Sequence, residues 1–121
     1  MSLELYNEKI VEIMNLRKKA WESERRCQLE LEAQGWITEK MQYSGRQFQK
    51  RKDFFGLWDI IALRNNEIKF IQVKTNHKPV LDLFRVFKVN HQIENSSFEI
   101  WIWYEEGISP KYSREWRKII L

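Results

Sequence analysis

Three polar residues close together in the chain have the right types and spacing for chemistry: Asp59, Gln72 and Lys74. Asp59 stands in the otherwise apolar run LWDIIAL (residues 57–63), where a carboxylate is costly unless it is paired or binds a metal ion. Carboxylate and amide oxygens suit a hard divalent cation such as Mg²⁺, and a neighbouring ammonium can orient water and offset phosphate charge. The alternative is that all three are ordinary solvated side chains.

Two predicted strands must position these residues. Residues 57–63 form the first, and the run IKFIQVKT (residues 68–75), rich in β-branched residues, forms the second. Between them lie two asparagines, which tolerate the positive φ angles of a turn. Side chains in a strand alternate between faces, so one face is predicted to carry Ile68, Phe70, Gln72 and Lys74, and the other Ile71, Val73 and Thr75. If the strands pair as a hairpin, Asp59 comes near Gln72 and Lys74.

A further acid, Glu24, lies in a predicted N-terminal helix. No Gly or Pro precedes Gly35, so residues 3–34 are predicted to form one long helix or two abutting ones, ended by that glycine. Glu24 and Arg17 fall on the apolar stripe of this helix, so Glu24 is predicted to point toward the body of the protein. The alternative is that Glu24 pairs with a lysine or arginine at the stripe's edge. The stripe consists of Leu3, Tyr6, Ile10, Ile13, Ala20, Cys27 and Leu31.

The other elements complete an α/β pattern. Residues 36–41 and 98–104 are predicted strands, residues 79–89 a helix that starts at Pro79, and residues 115–121 a last strand. The order of helix, three strands, helix and one or two strands predicts a mixed central sheet flanked by helices. The strand 98–104 is apolar on both faces, so it requires cover from a partner subunit or from the long N-terminal helix.

Composition limits the class of protein. A chain of 121 residues with 43% hydrophobic residues predicts one compact domain, and no apolar run is long enough to span a membrane. One cysteine and two histidines exclude an internal disulfide and a zinc site, which favours a cytoplasmic location. The formal charge is +4. The loop of residues 42–52 mixes basic and aromatic residues, which indicates either phosphate-backbone binding or a merely solvated loop.

The spacing of the motifs resembles a known group of enzymes. Asp59 followed after thirteen positions by Gln72-Val73-Lys74 resembles the signature of the PD-(D/E)XK nuclease superfamily. Glu24-Arg25, which stands eleven positions before Gly35-Trp36, resembles the first motif of archaeal Holliday junction resolvases. The run DFFGLWD (residues 53–59) is similar to the D-x-F-G-x-x-D run of small phage and archaeal nuclease-like proteins.

The resemblance implies a restriction-endonuclease-like core, a Mg²⁺-dependent DNA endonuclease for which Mn²⁺ could substitute, and action on four-way junctions as a homodimer. Glu24, Asp59, Gln72 and Lys74 would be catalytic, and Glu24, Asp59, Gln72 and the Val73 carbonyl would hold the metal. Candidates for phosphate contact are Arg25, Arg46, Lys50, Arg51, Lys52, Lys78, Arg85 and Lys88.

The chain departs from the resolvase pattern at two places. Gln72 replaces the usual acid, which removes one negative charge from the metal site. The N-terminal segment Met1–Lys19 is longer than that pattern requires, and we interpret it as a helical arm used in dimerisation. Two other functions therefore stay open: a related nuclease for single-stranded, end or mismatched DNA, and a DNA-binding module that has lost catalysis.

Overall fold

The computed structural model of the chain describes residues 2–41 and 53–121. Two helices and five strands follow in the order α1 (Leu3–Ala33), β1 (Ile37–Lys40), β2 (Ile60–Arg64), β3 (Glu67–Thr75), α2 (Asp82–Asn90), β4 (Ser96–Tyr104) and β5 (Glu115–Ile120). The predicted basic loop of residues 42–52 lies outside the described residues. Within the described part of the chain, no helix combines the length and apolar character needed to cross a membrane.

The five strands form one sheet in sequence order. All neighbours are antiparallel except β3 and β4, which run parallel and are connected through α2. A parallel pair needs such a crossover, because a tight turn can join only antiparallel strands. The predicted α/β class, with a mixed central sheet flanked by helices, is confirmed. The element order agrees with that of the restriction-endonuclease-like core expected from the sequence, with two strands after the second helix.

Two apolar cores lie on opposite faces of the sheet, as the alternation in β3 predicts. Ile71 and Val73 pack with Cys27 and Leu31 of α1 on one face. Phe70 packs on the other face with aliphatic and aromatic residues of α2, β4 and the turn before β2. The second core is mostly aromatic, and it contains Trp58, Phe84 and Phe98.

The helix α1 has a packed half and an exposed half. Its buried residues all lie between Ser23 and Leu31, whereas every residue from 2 to 22 is exposed; we call residues 2–22 the arm. Gly35, at φ 89°, follows the helix in the left-handed conformation, and the Trp36 amide donates to the Leu31 carbonyl. This closing turn is what the glycine predicted.

The packed half of α1 also covers the aromatic strand β4. Trp101 belongs to the core beneath α1, and the Arg26 guanidinium lies 3.9 Å from the centre of the Trp103 ring. Of the two predicted ways to cover this strand, the structure therefore uses the N-terminal helix. A partner subunit is not required for it.

Candidate active site

A cleft of about 670 Å³ opens at the end of β3, beside the stretch of α1 from Leu16 to Glu24 where the arm meets the packed half. It brings together all four predicted catalytic residues, although they come from three separate parts of the chain. Its lining comprises Leu16, Lys19, Ala20, Glu24, Asp53, Asp59, Gln72, Val73, Lys74, Thr75, Asn76 and His77. The residues that sequence spacing selected are therefore neighbours in space.

Asp59 is held at the start of β2 by the backbone of β3. Its amide donates to the Ile71 carbonyl at 2.9 Å, and its Oδ2 accepts from the Val73 amide at 2.8 Å. The preceding residue, Trp58, is fully buried, with its ring 5.3 Å from that of Phe84. Asp59 was predicted to lie within a strand of residues 57–63, but β2 begins only at Ile60 because the chain before it forms a tight turn.

That turn places a second acid, Asp53, beside Asp59. The Phe54 amide donates to the Trp58 carbonyl at 2.8 Å, so residues 53 and 59 lie next to each other across the turn. Phe55 (φ 55°) and Gly56 (φ 75°) supply the left-handed backbone that closes it. The Asp53 carboxyl group shares a hydrogen bond with that of Asp59. Sequence reasoning did not select Asp53 as a site residue, although the D-x-F-G-x-x-D run was its signal.

The surroundings of Asp59 disfavour its charged form. Burial, the neighbouring Asp53 carboxylate and, to a smaller extent, Glu24 raise the pKa of Asp59 to about 8, against the opposing effect of the Val73 amide. Like charges and desolvation both make ionisation unfavourable, and a bound cation would remove that penalty. A buried acid with such a pKa in a cleft is typical of functional sites.

Glu24 points inward, as predicted. It also lies near a lysine, although this lysine belongs to β1 and not to the edge of the helical stripe. Glu24 is 4% exposed, and its Oε2 lies 4.0 Å from Nζ of Lys40 in β1. The Lys40 ammonium also lies 4.9 Å from the centre of the Trp21 ring. No pattern in the sequence identified Lys40, because its approach depends on how β1 packs beneath α1.

Gln72 provides the clearest test of whether a metal ion fits this site. Its side chain is buried, and its Oε1 has no hydrogen-bond partner among residues 2–41 and 53–121. A buried carbonyl oxygen without a donor is unfavourable, and a hard cation is one partner that satisfies it. The Val73 carbonyl lies on the same side of β3 as its amide, toward Asp59. The oxygens of Asp59, Gln72, Val73 and Glu24 are of the kind that a divalent cation binds.

The four candidate metal ligands include only two carboxyl groups, those of Asp59 and Glu24, so they offer little negative charge to a cation. Nowhere in the described part of the chain do three His, Cys, Asp or Glu side chains come close enough together to hold a metal ion. Amide and backbone oxygens would have to complete the coordination, as the sequence predicts from Gln72 and Val73.

The predicted phosphate-binding residues are not all brought to this cleft. Lys78 is exposed just beyond β3, next to the cleft residue His77. Arg25 lies 3.7 Å from Glu32, and Arg85 is exposed on α2. Lys88 donates to the Leu121 carbonyl, near the start of β4 and thus at the opposite end of the sheet. The remaining candidates, Arg46, Lys50, Arg51 and Lys52, lie outside the described residues.

Comparison with known proteins finds a resolvase among solved structures. The sequence matches no protein-family profile and no curated protein. The structure is similar to that of Hjc, a Holliday junction resolvase from the hyperthermophilic archaeon Archaeoglobus fulgidus, with a TM-score of 0.49 and 15% identity. The similar region covers 81% of this chain and 74% of Hjc.

Proposed function

We propose that this protein is a divalent-metal-dependent endodeoxyribonuclease that hydrolyses phosphodiester bonds, with four-way DNA junctions as its preferred substrate. The observation that carries this proposal is the cleft at the end of β3, where Asp59, Glu24, Gln72 and Lys74 converge. The oxygen of Gln72 that lacks a partner among the described residues supports a cation there. The lysine two residues away supports a substrate that carries phosphate.

Each residue has a role that follows from its position. Mg²⁺, when bound, would supply charge stabilisation at the phosphate and make water more acidic. Asp59 and Gln72 would bind it, with the Val73 amide fixing the orientation of the Asp59 carboxylate. Lys74 would orient the attacking water and offset the charge that develops on the phosphate. Asp53, which shares a hydrogen bond with Asp59, would help to hold the Asp59 carboxyl group in position.

The proposal also includes a junction preference and a homodimer. They come from the motif spacing around Glu24-Arg25 and from the two-fold symmetry of a four-way junction, which suits a symmetric pair of subunits. Substrate choice depends on surfaces outside the metal site. A nuclease for single-stranded, end or mismatched DNA would use the same residues of the cleft.

A cleavage gel tests this proposal directly. Purified protein would be incubated with labelled linear, single-stranded and four-way DNA, with Mg²⁺, with Mn²⁺ or with EDTA. We expect metal-dependent cleavage, strongest on the four-way substrate. Cleavage of every form at one rate would reject the junction preference, and cleavage in EDTA would reject the metal centre.

Substitutions in the cleft separate catalysis from binding. Asp59→Ala and Lys74→Ala should each abolish cleavage and leave DNA affinity nearly unchanged, because most phosphate contacts lie elsewhere. Asp82→Ala and Lys111→Ala are matched controls, since both residues are exposed and lie outside the cleft lining. Tight DNA binding without cleavage in the wild type, together with cleavage by Gln72→Glu, would identify a binding module that has lost catalysis.

A further inference from the structure

The arm carries an apolar stripe that its own subunit does not cover. The exposed fractions are 74% for Leu3, 55% for Tyr6, 38% for Ile10 and 50% for Ile13. These residues lie on the same side of the helix as Cys27 and Leu31, which are buried farther along it. Met14 (62%) and Leu16 (60%) widen the stripe. An exposed helix of this length with a continuous apolar side indicates an interaction surface.

The spacing of the stripe is that of a coiled coil. The positions of the stripe recur at alternating steps of three and four along the arm. They are occupied by Leu3, Tyr6, Ile10, Ile13, Arg17 and Ala20, of which only Arg17 is charged. Helices with this 3.5-residue repeat pack side by side with interlocking side chains. Leu3, Ile10 and Arg17 occupy one of the two core positions, and Tyr6, Ile13 and Ala20 occupy the other.

We propose that the arms of two copies of this protein pair antiparallel to form the dimer. In an antiparallel pair, a residue at one core position faces a residue at the other core position of the partner helix, and each facing pair forms one layer of the interface. The spacing of the arm places a residue of the stripe on both sides of every layer. Leu3 faces Ala20 of the partner subunit, Tyr6 faces Arg17 of the partner subunit, and Ile10 faces Ile13 of the partner subunit. The two-fold axis then passes between residues 11 and 12.

The layers explain the two residues of the arm's core positions that are not large and apolar, Ala20 and Arg17. The small Ala20 sits opposite the large Leu3, which keeps the packing even. Arg17 sits opposite an aromatic ring, where its guanidinium can lie over the face of Tyr6 of the partner subunit. A parallel pair would instead place Arg17 against Arg17 of the partner subunit, and like charges in a core are unfavourable.

Charge along the arm favours the same orientation. Residues 2–13 carry three acids and one lysine, a net charge of −2, whereas residues 14–22 carry three basic residues and the acid Glu22, a net charge of +2. Antiparallel pairing places the acidic half of each arm beside the basic half of the other, and parallel pairing places like beside like. The other acids are Glu4, Glu8 and Glu12, and the basic residues are Lys9, Arg17, Lys18 and Lys19.

The area available is sufficient for a specific dimer. Six apolar side chains from each copy, at roughly 100 Å² each on the apolar-transfer scale, come to on the order of 1,000 Å², the size at which specific interfaces begin. In the dimer, the two Ala20 positions beside the clefts lie about 25 Å apart along the arms, from a rise of 1.5 Å per residue. The pairing does not depend on the proposed catalytic activity.

Mass measurements test the interface. Sedimentation equilibrium of the full chain at tens of micromolar should give twice the 14.9 kDa of one chain. Ile10→Glu and Ile13→Glu should each reduce the mass to that of a single chain, while the far-UV circular dichroism of the body is retained. Val11→Glu is the matched control, because Val11 is exposed on the side away from the stripe, and it should leave the dimer intact. A wild-type monomer, or a dimer that Ile10→Glu does not weaken, would overturn the proposal.

Disulfide trapping tests the orientation. An equimolar mixture of Leu3→Cys and Ala20→Cys chains should form a cross-linked dimer under mild oxidation, and each variant alone should not. The native Cys27 does not interfere, because it is fully buried. Cross-linking of Leu3→Cys with itself would show a parallel pair and overturn the antiparallel arrangement. Failure of either test leaves the cleavage assay interpretable, since that assay does not depend on the arm.

Discussion

Asp59 and Glu99 are both buried carboxylates of the same sheet, 4% and 1% exposed, yet their pKa values move in opposite directions. Burial raises the pKa of Glu99 too, but hydrogen bonds from Lys69, Trp101 and Ser97 outweigh it and hold the pKa below its ordinary value. The Lys69 ammonium lies 2.8 Å from Glu99 Oε2. At Asp59 two other acids of the described chain, Asp53 and Glu24, add to the effect of burial and raise the pKa.

The difference lies in the charged groups that surround each carboxyl group. Glu99 has its cation built into the neighbouring strand, so its burial is offset within the folded chain. Asp59 lies near the carboxyl groups of Asp53 and Glu24, which act together with burial to disfavour its charged form. Groups kept in such unfavourable surroundings cluster at functional sites. The two acids therefore provide an internal control for each other.

The largest expected contrast is in stability without metal. Glu99→Ala should cost about 3–5 kcal/mol, because it leaves the Lys69 ammonium without its buried partner. Asp59→Asn replaces a carboxyl group whose charged form is disfavoured by a neutral amide of similar shape, and it should leave the free energy of unfolding unchanged or higher. Urea titration in EDTA, followed by tryptophan fluorescence, measures both. Equal losses would mean that Asp59 is as fully compensated as Glu99.

Metal binding should affect only one of the two sites. With Mg²⁺ at a hundred times its dissociation constant, the wild type should gain about 2.7 kcal/mol of stability. Glu99→Gln should keep this gain, and Asp59→Asn should lose most of it. Sodium chloride at matched ionic strength controls for screening. A gain that survives Asp59→Asn would place the metal elsewhere.

Acid should remove the contribution of Glu99. Its pKa is lower in the folded than in the unfolded state, so the stabilisation is complete above the unfolded value of about 4.3 and disappears as the pH falls through the folded value. At pH 7, Glu99→Gln should be less stable than the wild type by about 2 kcal/mol, the loss of a charged hydrogen bond. Urea titrations from pH 7 downward should show the two converging below pH 4. A constant difference would contradict the ion pair.

A smaller effect is expected when Gln72 gains a charge. Gln72→Glu should tighten the apparent affinity for Mg²⁺ by about tenfold, which corresponds to 1.4 kcal/mol. Gln72→Ala should raise the Mg²⁺ requirement more than it lowers the saturated cleavage rate. Gln92→Glu, at an exposed position outside the cleft, controls for net charge. Superimposable Mg²⁺ titrations of all forms would show that Gln72 is not a ligand.

The sequence alone determined the local geometry of the site. The β3 pattern predicts that Gln72 and Lys74 share a face, and the turn chemistry of residues 64–67 predicts the hairpin that brings Asp59 alongside. Both depend on the period of a strand and on a short connection, which covalent geometry and backbone hydrogen bonding fix within a few residues. The inward position of Glu24 follows in the same way from the helical stripe.

Only the tertiary structure decided which charges meet. Asp53 reaches Asp59 because residues 54–58 form a tight turn rather than part of a strand. Lys40 approaches Glu24 through the packing of β1 against α1, and Lys69 meets Glu99 through the parallel register of β3 and β4. The covering of β4 by the packed half of α1 was decided in the same way. Such contacts join residues far apart in the chain, and they depend on packing that no short sequence pattern encodes.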